Sequence, residues 1–373
     1  MQTQAAVLWE RGAGWSVEDI ELAAPLQGEV LVRIEATGLC HSDAGLDKGT
    51  LPSALPIIGG HEGAGVVEAV GPGVTRVAVG DHVVFSSVPS CGFCPSCASG
   101  FQNQCDRLGV MGSGMQLFDQ RSRHVARGQD LALMCLLGTF ARHSVISEAQ
   151  CVRIDDDIPL DRASLVSCAV ITGWGAVTHA SGIEPGDDVL VVGVGGVGVN
   201  AIQAARFAGA RRIFAIDPLA SKRELALSFG ATHVAENFDT GYPMVKATTN
   251  GRLCQRVIVT MDVARGDALQ PILRMTGRRG RIVLCSLAAA GPQPLQLNLF
   301  DLTMREKQIV GSLSGSANPN IEIPKLLGLY RDGHLDLDSQ ISARYPLSAI
   351  NEGFADLRNG ANLRGVIACQ EQT

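Results

Sequence analysis

Two different spacings of apolar residues divide the chain. Up to about residue 165 the apolar positions come in short valine- and isoleucine-rich runs: Ala5 to Leu8, Glu29 to Glu35, Gly65 to Ala69 and His82 to Phe85. They are separated by turn residues such as Gly71-Pro72-Gly73 and Val79-Gly80-Asp81. Runs bounded in this way predict strands, and the stretch reads as a compact barrel-like β domain with long loops. From about Val170 the rhythm changes. Val189 to Val192 is an unbroken apolar run suited to a strand buried on both faces, and Val199 to Ala208 holds only helix-compatible side chains. Arg212 to Ile216 is again strand-like, and Ser221 to Phe229 forms a helix stopped by Gly230. Further strands are predicted at Val257 to Thr260 and Arg281 to Ser286. Strands alternating with helices predict a doubly wound parallel sheet, so the fold class is α/β. After Gly311 a glycine- and serine-rich turn precedes a helix around Ile323 to Asp332 and a last strand near Gly365 to Cys369, expected to return to the first domain. The expected division is 1–169, 170–312 and 313–373.

The junction between the first strand and helix of the second domain carries chemistry. Gly193, Gly195, Gly196 and Gly198 fit G-x-G-x-x-G with one extra glycine, directly after a strand and before a helix. One such glycine permits a tight turn, one lets backbone N–H groups approach a pyrophosphate, and one lets the helix pack close to the strand. Asp217 ends the next strand, roughly twenty residues on, where an acid hydrogen-bonds the ribose hydroxyls of NAD and repels the extra phosphate of NADP. Strand, glycines, helix, strand and acid in this order predict a dinucleotide site.

Composition narrows the classes. With 46% hydrophobic and 18% charged residues the chain is ordinary globular protein, and its net charge of -6 with no basic block argues against nucleic-acid or anionic-membrane partners. The start, MQTQAAVLWE, lacks a basic segment followed by a long apolar core. No apolar run is expected to span a bilayer, and a cytoplasmic location is expected. Eleven cysteines in such a chain point to metal ligands and buried thiols more than to disulfides.

Spacing supports that. Cys91, Cys94, Cys97 and Cys105 form C-x2-C-x2-C-x7-C in a loop with Gly92, Pro95 and Gly100. Four thiolates so close can surround one ion, as structural zinc is held. An iron–sulfur cluster is the rival, because three cysteines at this spacing suit ferredoxin-type binding. A second set is dispersed: Cys40 in GLCHSD, His61 in GGHEGAG and Cys168 in VSCAVITGWG. Two thiolates and an imidazole make a zinc site with one open position, but each residue alone could equally be a buried thiol or a satisfied core histidine.

The segments GHEGAG and CHSD, the four-cysteine loop, Gly193 to Gly198 and the tail Asn362-Leu363-Arg364-Gly365 together resemble the zinc-dependent medium-chain alcohol dehydrogenases over essentially the whole chain. AAVLWE, His124 to Asp130, MCLLGTF, IDDDIPLD, GSANP, INEGF and LRGVI resemble more narrowly the NDMA-dependent, nicotinoprotein-type members. The resemblance implies a GroES-like barrel domain beside the Rossmann domain, two zinc ions per subunit, and NAD that stays bound while an external electron acceptor recycles it. It also implies a homodimer or homotetramer.

Carried over by position, it implies that Cys40, His61 and Cys168 hold catalytic zinc and that the four clustered cysteines hold structural zinc. Asp43 and Glu62 are implied to orient the ligands from behind, and Ser42 to take the alcohol proton. His41 stands where relatives place a basic residue near the pyrophosphate. Asp217 and Lys222 match adenosine-ribose contacts, Thr172 and Val197 the nicotinamide surroundings, and Arg364 a phosphate contact. Two departures stand out. Gly45 replaces a histidine that completes the proton relay in liver-type relatives, and Ser87 replaces a phenylalanine on the substrate pocket, which predicts room for bulky or aromatic primary alcohols.

The implied activity is oxidation of a primary alcohol to an aldehyde, and its reverse, with zinc as Lewis acid and hydride transfer to NAD. A second expectation is oxidation of an S-hydroxymethyl thiol adduct, as other members of the superfamily perform. A third is a non-catalytic zinc- and dinucleotide-binding redox sensor, against which the open zinc set with a hydroxyl beside it argues.

Overall fold

The computed structural model describes residues 1–262, 266–286, 291 and 294–370. It divides into two compact units, Met1–Cys168 with Asn318–Thr373, and Ala169–Ala317. The second boundary falls a few residues beyond the expected 312. The reason is local: a Cβ on Gly315 would collide with the carbonyl of Ile171, so the turn Ser314–Ser316 packs into the helix Ile171–Gly175 and belongs with it.

The first unit is built from two sheets. One runs in the order Gln129–Asp130, His124–Ala126, Ser16–Leu22, Gln2–Leu8, Ile57–Ile58, Ala132–Leu133. The other has Glu29–Gly38 as its long central strand. Glu62–Val70 pairs along one edge of it, while His143–Ser147 and the returning strand Arg364–Ala368 pair with its first and second halves. The tail thus rejoins the first unit. Val30, Val32 and Ile34 point into the core on the period-2 pattern, meeting Val67, Phe85, Phe140 and Ile146. The strand Ser16–Leu22, SVEDIEL, was not legible: its charged residues face outward and only Ile20 and Leu22 are fully buried.

The second unit holds a six-stranded, wholly parallel sheet ordered His233–Ala235, Arg212–Ile216, Asp188–Val192, Cys254–Val259, Thr276–Leu284, Gln308–Gly311. In chain order this is 3-2-1-4-5-6, the Rossmann arrangement with its switch point at the first strand. Asp188–Val192 is buried at every position, which is why Val189 to Val192 reads as a continuous apolar run. The helices Gly196–Phe207 and Ala220–Phe229 follow the first two strands, the latter ending in left-handed Gly230.

Among the described residues one helical stretch, Leu160–Ala180, is long and apolar enough to cross a membrane, contrary to the expectation that none would be. Its window is 72% buried inside the protein, the character of a core helix. It is not smooth: Val166–Val170 and Ala176–Ala180 are wide, π-helical turns, and Cys168 stands in the first.

Candidate metal centres and dinucleotide turn

The position of His61 begins two residues earlier. A Cβ on Gly59 would run into the rings of Trp15 and Phe140, and one on Gly60, which has a φ of +87°, would meet Thr139. The two glycines let the chain pass beneath the cluster of Trp15, Phe140 and Phe354 and turn into the strand Glu62–Val70. Asn351 of INEGF holds that cluster by accepting from the Trp15 N–H at 2.9 Å and donating to its carbonyl at 2.8 Å.

Asp43, fully buried in the first turn of the helix His41–Lys48, accepts the Gly60 N–H at 2.8 Å through Oδ1. Its Oδ2 lies 3.1 Å from His61 Nδ1, close but not aligned for a full hydrogen bond. With Nδ1 turned to the carboxylate, Nε2 is the nitrogen available to a metal.

One donor atom from each of Cys40, His61, Glu62 and Cys168 lies within 4.8 Å of all the others. The three expected donors converge, and the Glu62 carboxylate lies beside them. Its other partner is Arg364, which is buried and ion-paired to the Glu62 carboxylate. Arg364 was expected at a phosphate; the structure turns its guanidinium into this cluster, where Cys40 and Asp43 also attract it. The reason is charge. Two acids and a thiolate buried together need a compensating cation.

The thiols are unequal. A hydrogen bond from Cys168 holds Cys40 well below the usual thiol range despite burial, and the charge of His61 adds to it. Cys168, as donor in that bond and half-buried, is pushed well above it. For His61, burial works towards the neutral ring, but the Asp43 and Cys40 charges outweigh it and raise its pKa. Asp43 Oδ2, His61 Nδ1 and Glu62 Oε1 are buried without an aligned partner. Soft thiolates, an imidazole and underused buried acceptors are the donor chemistry zinc takes, and the residues fit that ion.

Ser42 is half-buried with its Oγ 3.7 Å from Cys40 Sγ, while His41 is exposed. Gly45 sits in a tight place: a Cβ would lie 3.0 Å from Thr50 Oγ1 and 3.4 Å from Leu51, so these neighbours would have to give by a few tenths of an ångström. Ser87 is buried just past the strand His82–Phe85, whose end is tied by Gln150 donating to the carbonyls of Ser86 and Cys135 at 3.0 Å each. Neither Gln150 nor Ser167 was singled out from sequence. The available signal was a polar residue inside an apolar stretch.

The four clustered cysteines also converge within 4.8 Å. Cys94 and Cys105 sulfurs are 3.9 Å apart, against about 3.8 Å for two ligands at tetrahedral angle on zinc. Backbone N–H groups of Cys94, Cys97, Arg107 and Cys91 point at the sulfurs from 3.4 Å, which favours thiolates. N–H bonds from Asp106 and Cys97 bring Cys94 to about 7, whereas burial pushes Cys97 up to about 12. All eleven cysteines are free.

In the second unit the glycine turn has the steric character expected. Gly193 has φ +94°, and a Cβ there would press on the backbone of Thr260 and Met261 at 2.9 Å. A Cβ on Gly198 would collide with the Gly193 carbonyl, whereas Gly195 has nothing within 4 Å and leaves a face open to a ligand. Gly195 caps the helix that starts at Gly196, with Val197 in its first turn. Asp217 accepts the N–H of Val194 at 2.8 Å and of Leu219 at 2.9 Å, so it braces the turn. Lys222 is buried near it, its pKa lowered by burial against the Asp217 charge. Thr172 is buried on a helix whose Gly173 packs against the Val197 carbonyl.

A β unit with two metal-binding clusters and a Rossmann unit with this turn define the class of zinc-binding, nucleotide-dependent dehydrogenases. Residues 26–156 match the alcohol dehydrogenase GroES-like domain, and residues 196–331 match the zinc-binding dehydrogenase domain. The chain is 44% identical over 370 residues to the NDMA-dependent alcohol dehydrogenase of Amycolatopsis methanolica, covering 98% of this chain and 99% of that one. It is 43% identical over 368 residues to alcohol dehydrogenase B of Mycobacterium tuberculosis, covering 98% of each. Among solved structures it is similar to benzyl alcohol dehydrogenase from Acinetobacter calcoaceticus, with a TM-score of 0.91 at 30% identity over 99% of this chain and 100% of that one. The chain belongs to the zinc-dependent medium-chain alcohol dehydrogenases and is an oxidoreductase.

Proposed function

We propose that this enzyme oxidises bulky or aromatic primary alcohols to aldehydes, and the reverse, with NAD retained through turnover and reoxidised by an external acceptor. The observation that carries the reading is the convergence of Cys40, His61, Glu62 and Cys168, with the Ser42 hydroxyl 3.7 Å from Cys40 Sγ.

Zinc in that cluster would supply Lewis-acid polarisation of the alcohol oxygen, and the nicotinamide would accept the hydride. Cys40, His61 and Cys168 would hold the metal, and Asp43 fixes the imidazole and the Gly60 N–H together. Glu62, balanced by Arg364, lies beside these three and leaves the fourth position to the alcohol oxygen. Ser42 is the hydroxyl available to accept the alcohol proton. Cys91, Cys94, Cys97 and Cys105 would hold a closed, structural zinc. In the Rossmann unit Gly193, Gly195, Gly196 and Gly198 would receive the pyrophosphate, and the Asp217 carboxylate favours NAD over NADP. Bulky alcohols are supported by the small Ser87 and by the likeness to a benzyl alcohol dehydrogenase. Retained NAD is supported by the likeness to an NDMA-dependent enzyme.

The test is to denature purified protein, identify any released nucleotide, and assay an alcohol panel with and without added NAD and an electron acceptor. Released NAD, turnover with acceptor alone, and benzyl alcohol favoured over ethanol are expected. Cys40→Ser should lose turnover and keep the nucleotide. Dependence on free NAD would overturn retention, and activity on formaldehyde confined to assays containing a thiol would overturn the substrate class.

A further inference from the structure

The buried hydroxyl of Ser167 behaves unlike its neighbours. Hydroxyls on helices commonly return to a carbonyl of the preceding turn. Ser164 does so to Asp161 at 2.8 Å and Thr178 to Trp174 at 3.1 Å within the stretch Leu160–Ala180, and Ser181, just past its end, to Val177 at 2.6 Å. Ser167 reaches away from its helix instead. Its Oγ lies 2.9 Å from the carbonyl oxygen of His61 and 2.6 Å from that of Phe85, and the residue is 1% exposed. The single hydroxyl hydrogen therefore stands between two carbonyls, more than eighty residues away in sequence, that belong to neighbouring strand segments.

Three features make this position matter. Ser167 directly precedes Cys168 in the wide turn Val166–Val170, and wide helical turns of this kind recur at functional sites. The His61 backbone is then held on both sides, with the Gly60 N–H on Asp43 Oδ1 and the His61 carbonyl on Ser167. The Phe85 carbonyl ends the strand that leads to Ser87.

We propose that Ser167 is a positioning residue for the catalytic metal: its hydroxyl sets the register of Cys168 against His61, so that both donors keep the separation a metal needs. The proposal rests on the reading of Cys40, His61 and Cys168 as metal ligands. Without the hydroxyl, two buried carbonyls share one donor fewer, and the Cys168 turn loses its hydrogen bond to the His61 backbone.

Metal retention tests it. Wild-type protein should hold two zinc ions, one per cluster, and Cys40→Ser only one; this pair of measurements tests the ligand reading by itself. Ser167→Ala should release the second ion to a chelator about 10–100-fold more readily, the range typical when a group supporting a metal ligand is lost. The four-cysteine ion should be unaffected. With cobalt in place of zinc, the visible bands of the catalytic site should shift in Ser167→Ala and return in Ser167→Thr, which keeps the hydroxyl. Wild-type chelator resistance together with an unshifted cobalt spectrum in Ser167→Ala would overturn the proposal. If the alanine chain does not fold, Ser167→Cys, similar in shape with a weaker donor, is read by the same criteria. A wild-type chain holding one ion regardless of Cys40→Ser would overturn the ligand reading, and this proposal with it.

Discussion

Asp43 and His61 are joined twice: one carboxylate oxygen lies 3.1 Å from the imidazole Nδ1, and the other accepts the N–H of Gly60, the residue before His61, at 2.8 Å. A single buried acid therefore fixes both the ring and the backbone that carries it. Asp43→Asn preserves the shape and the acceptor for Gly60 but removes the charge facing the ring. Zinc affinity at Cys40, His61 and Cys168 is expected to fall about 10–100-fold while the four-cysteine ion stays. Competition with a graded chelator, followed by metal analysis, measures it, and equal retention in both chains would refute this role.

Ser87→Phe would place a ring where a small buried side chain now sits beyond the strand His82–Phe85. The ratio of kcat/KM for benzyl alcohol to that for ethanol is expected to fall about tenfold or more, since filling a pocket discriminates by 1–3 kcal/mol per misfit group. Steady-state kinetics on the two alcohols decides it, and an unchanged ratio removes Ser87 from the substrate pocket.

Asp217 braces the glycine turn through Val194 and Leu219 and carries the charge proposed to exclude NADP. Asp217→Asn should raise the affinity ratio of NADP to NAD about tenfold, and should lower stability by about 1 kcal/mol, because an amide has one acceptor oxygen where the carboxylate uses two. Calorimetric titration of nucleotide-free protein with each dinucleotide reads the first effect, and thermal unfolding reads the second. A ratio equal to wild type would show that selectivity lies elsewhere.

His124 gives the pH prediction. It is fully buried, and burial, reinforced by the Arg123 charge, lowers its pKa to about 3. Its ring accepts the Val145 N–H through Nε2 at 3.4 Å and lies 3.2 Å from Ser144 Oγ. Once unfolded it titrates near 6.5. Above about pH 6.5 neither state holds the proton and stability is complete; below that the unfolded chain binds a proton that the folded chain refuses. Stability is then lost on acidification by up to ~1.4 kcal/mol per pH unit until the folded pKa is reached. His124→Gln should flatten the fall in denaturant midpoint between pH 6.5 and pH 4.5 relative to wild type at saturating zinc. Parallel slopes would rule His124 out as an acid-sensitive group.

Features encoded within a few residues were legible in the sequence alone. The glycine turn, its preceding strand and Asp217 were, because a positive φ at Gly193 and the contact of Gly198 with the Gly193 carbonyl are local demands of one strand–turn–helix unit. The four-cysteine loop was legible for the same reason, its ligands being at most fourteen positions apart. The helix Phe238–Thr248 escaped because Gly241 and Pro243 lie within it, although its capping box of Asn237 and Thr240 was a usable signal.

Tertiary structure alone decided the cluster of Cys40, His61 and Cys168. Cys40, His61 and Cys168 are brought together by pairing of the strands Glu29–Gly38 and Glu62–Val70 and by a helix entered a hundred residues later, and no spacing rule encodes that convergence. The same holds for Arg364 on Glu62 and for Ser167 on the His61 carbonyl. Residue type announces that a buried guanidinium or hydroxyl must find a partner, because an unpaired polar group is costly away from water. Which partner it finds depends on strand register and helix placement, which the whole folded chain determines.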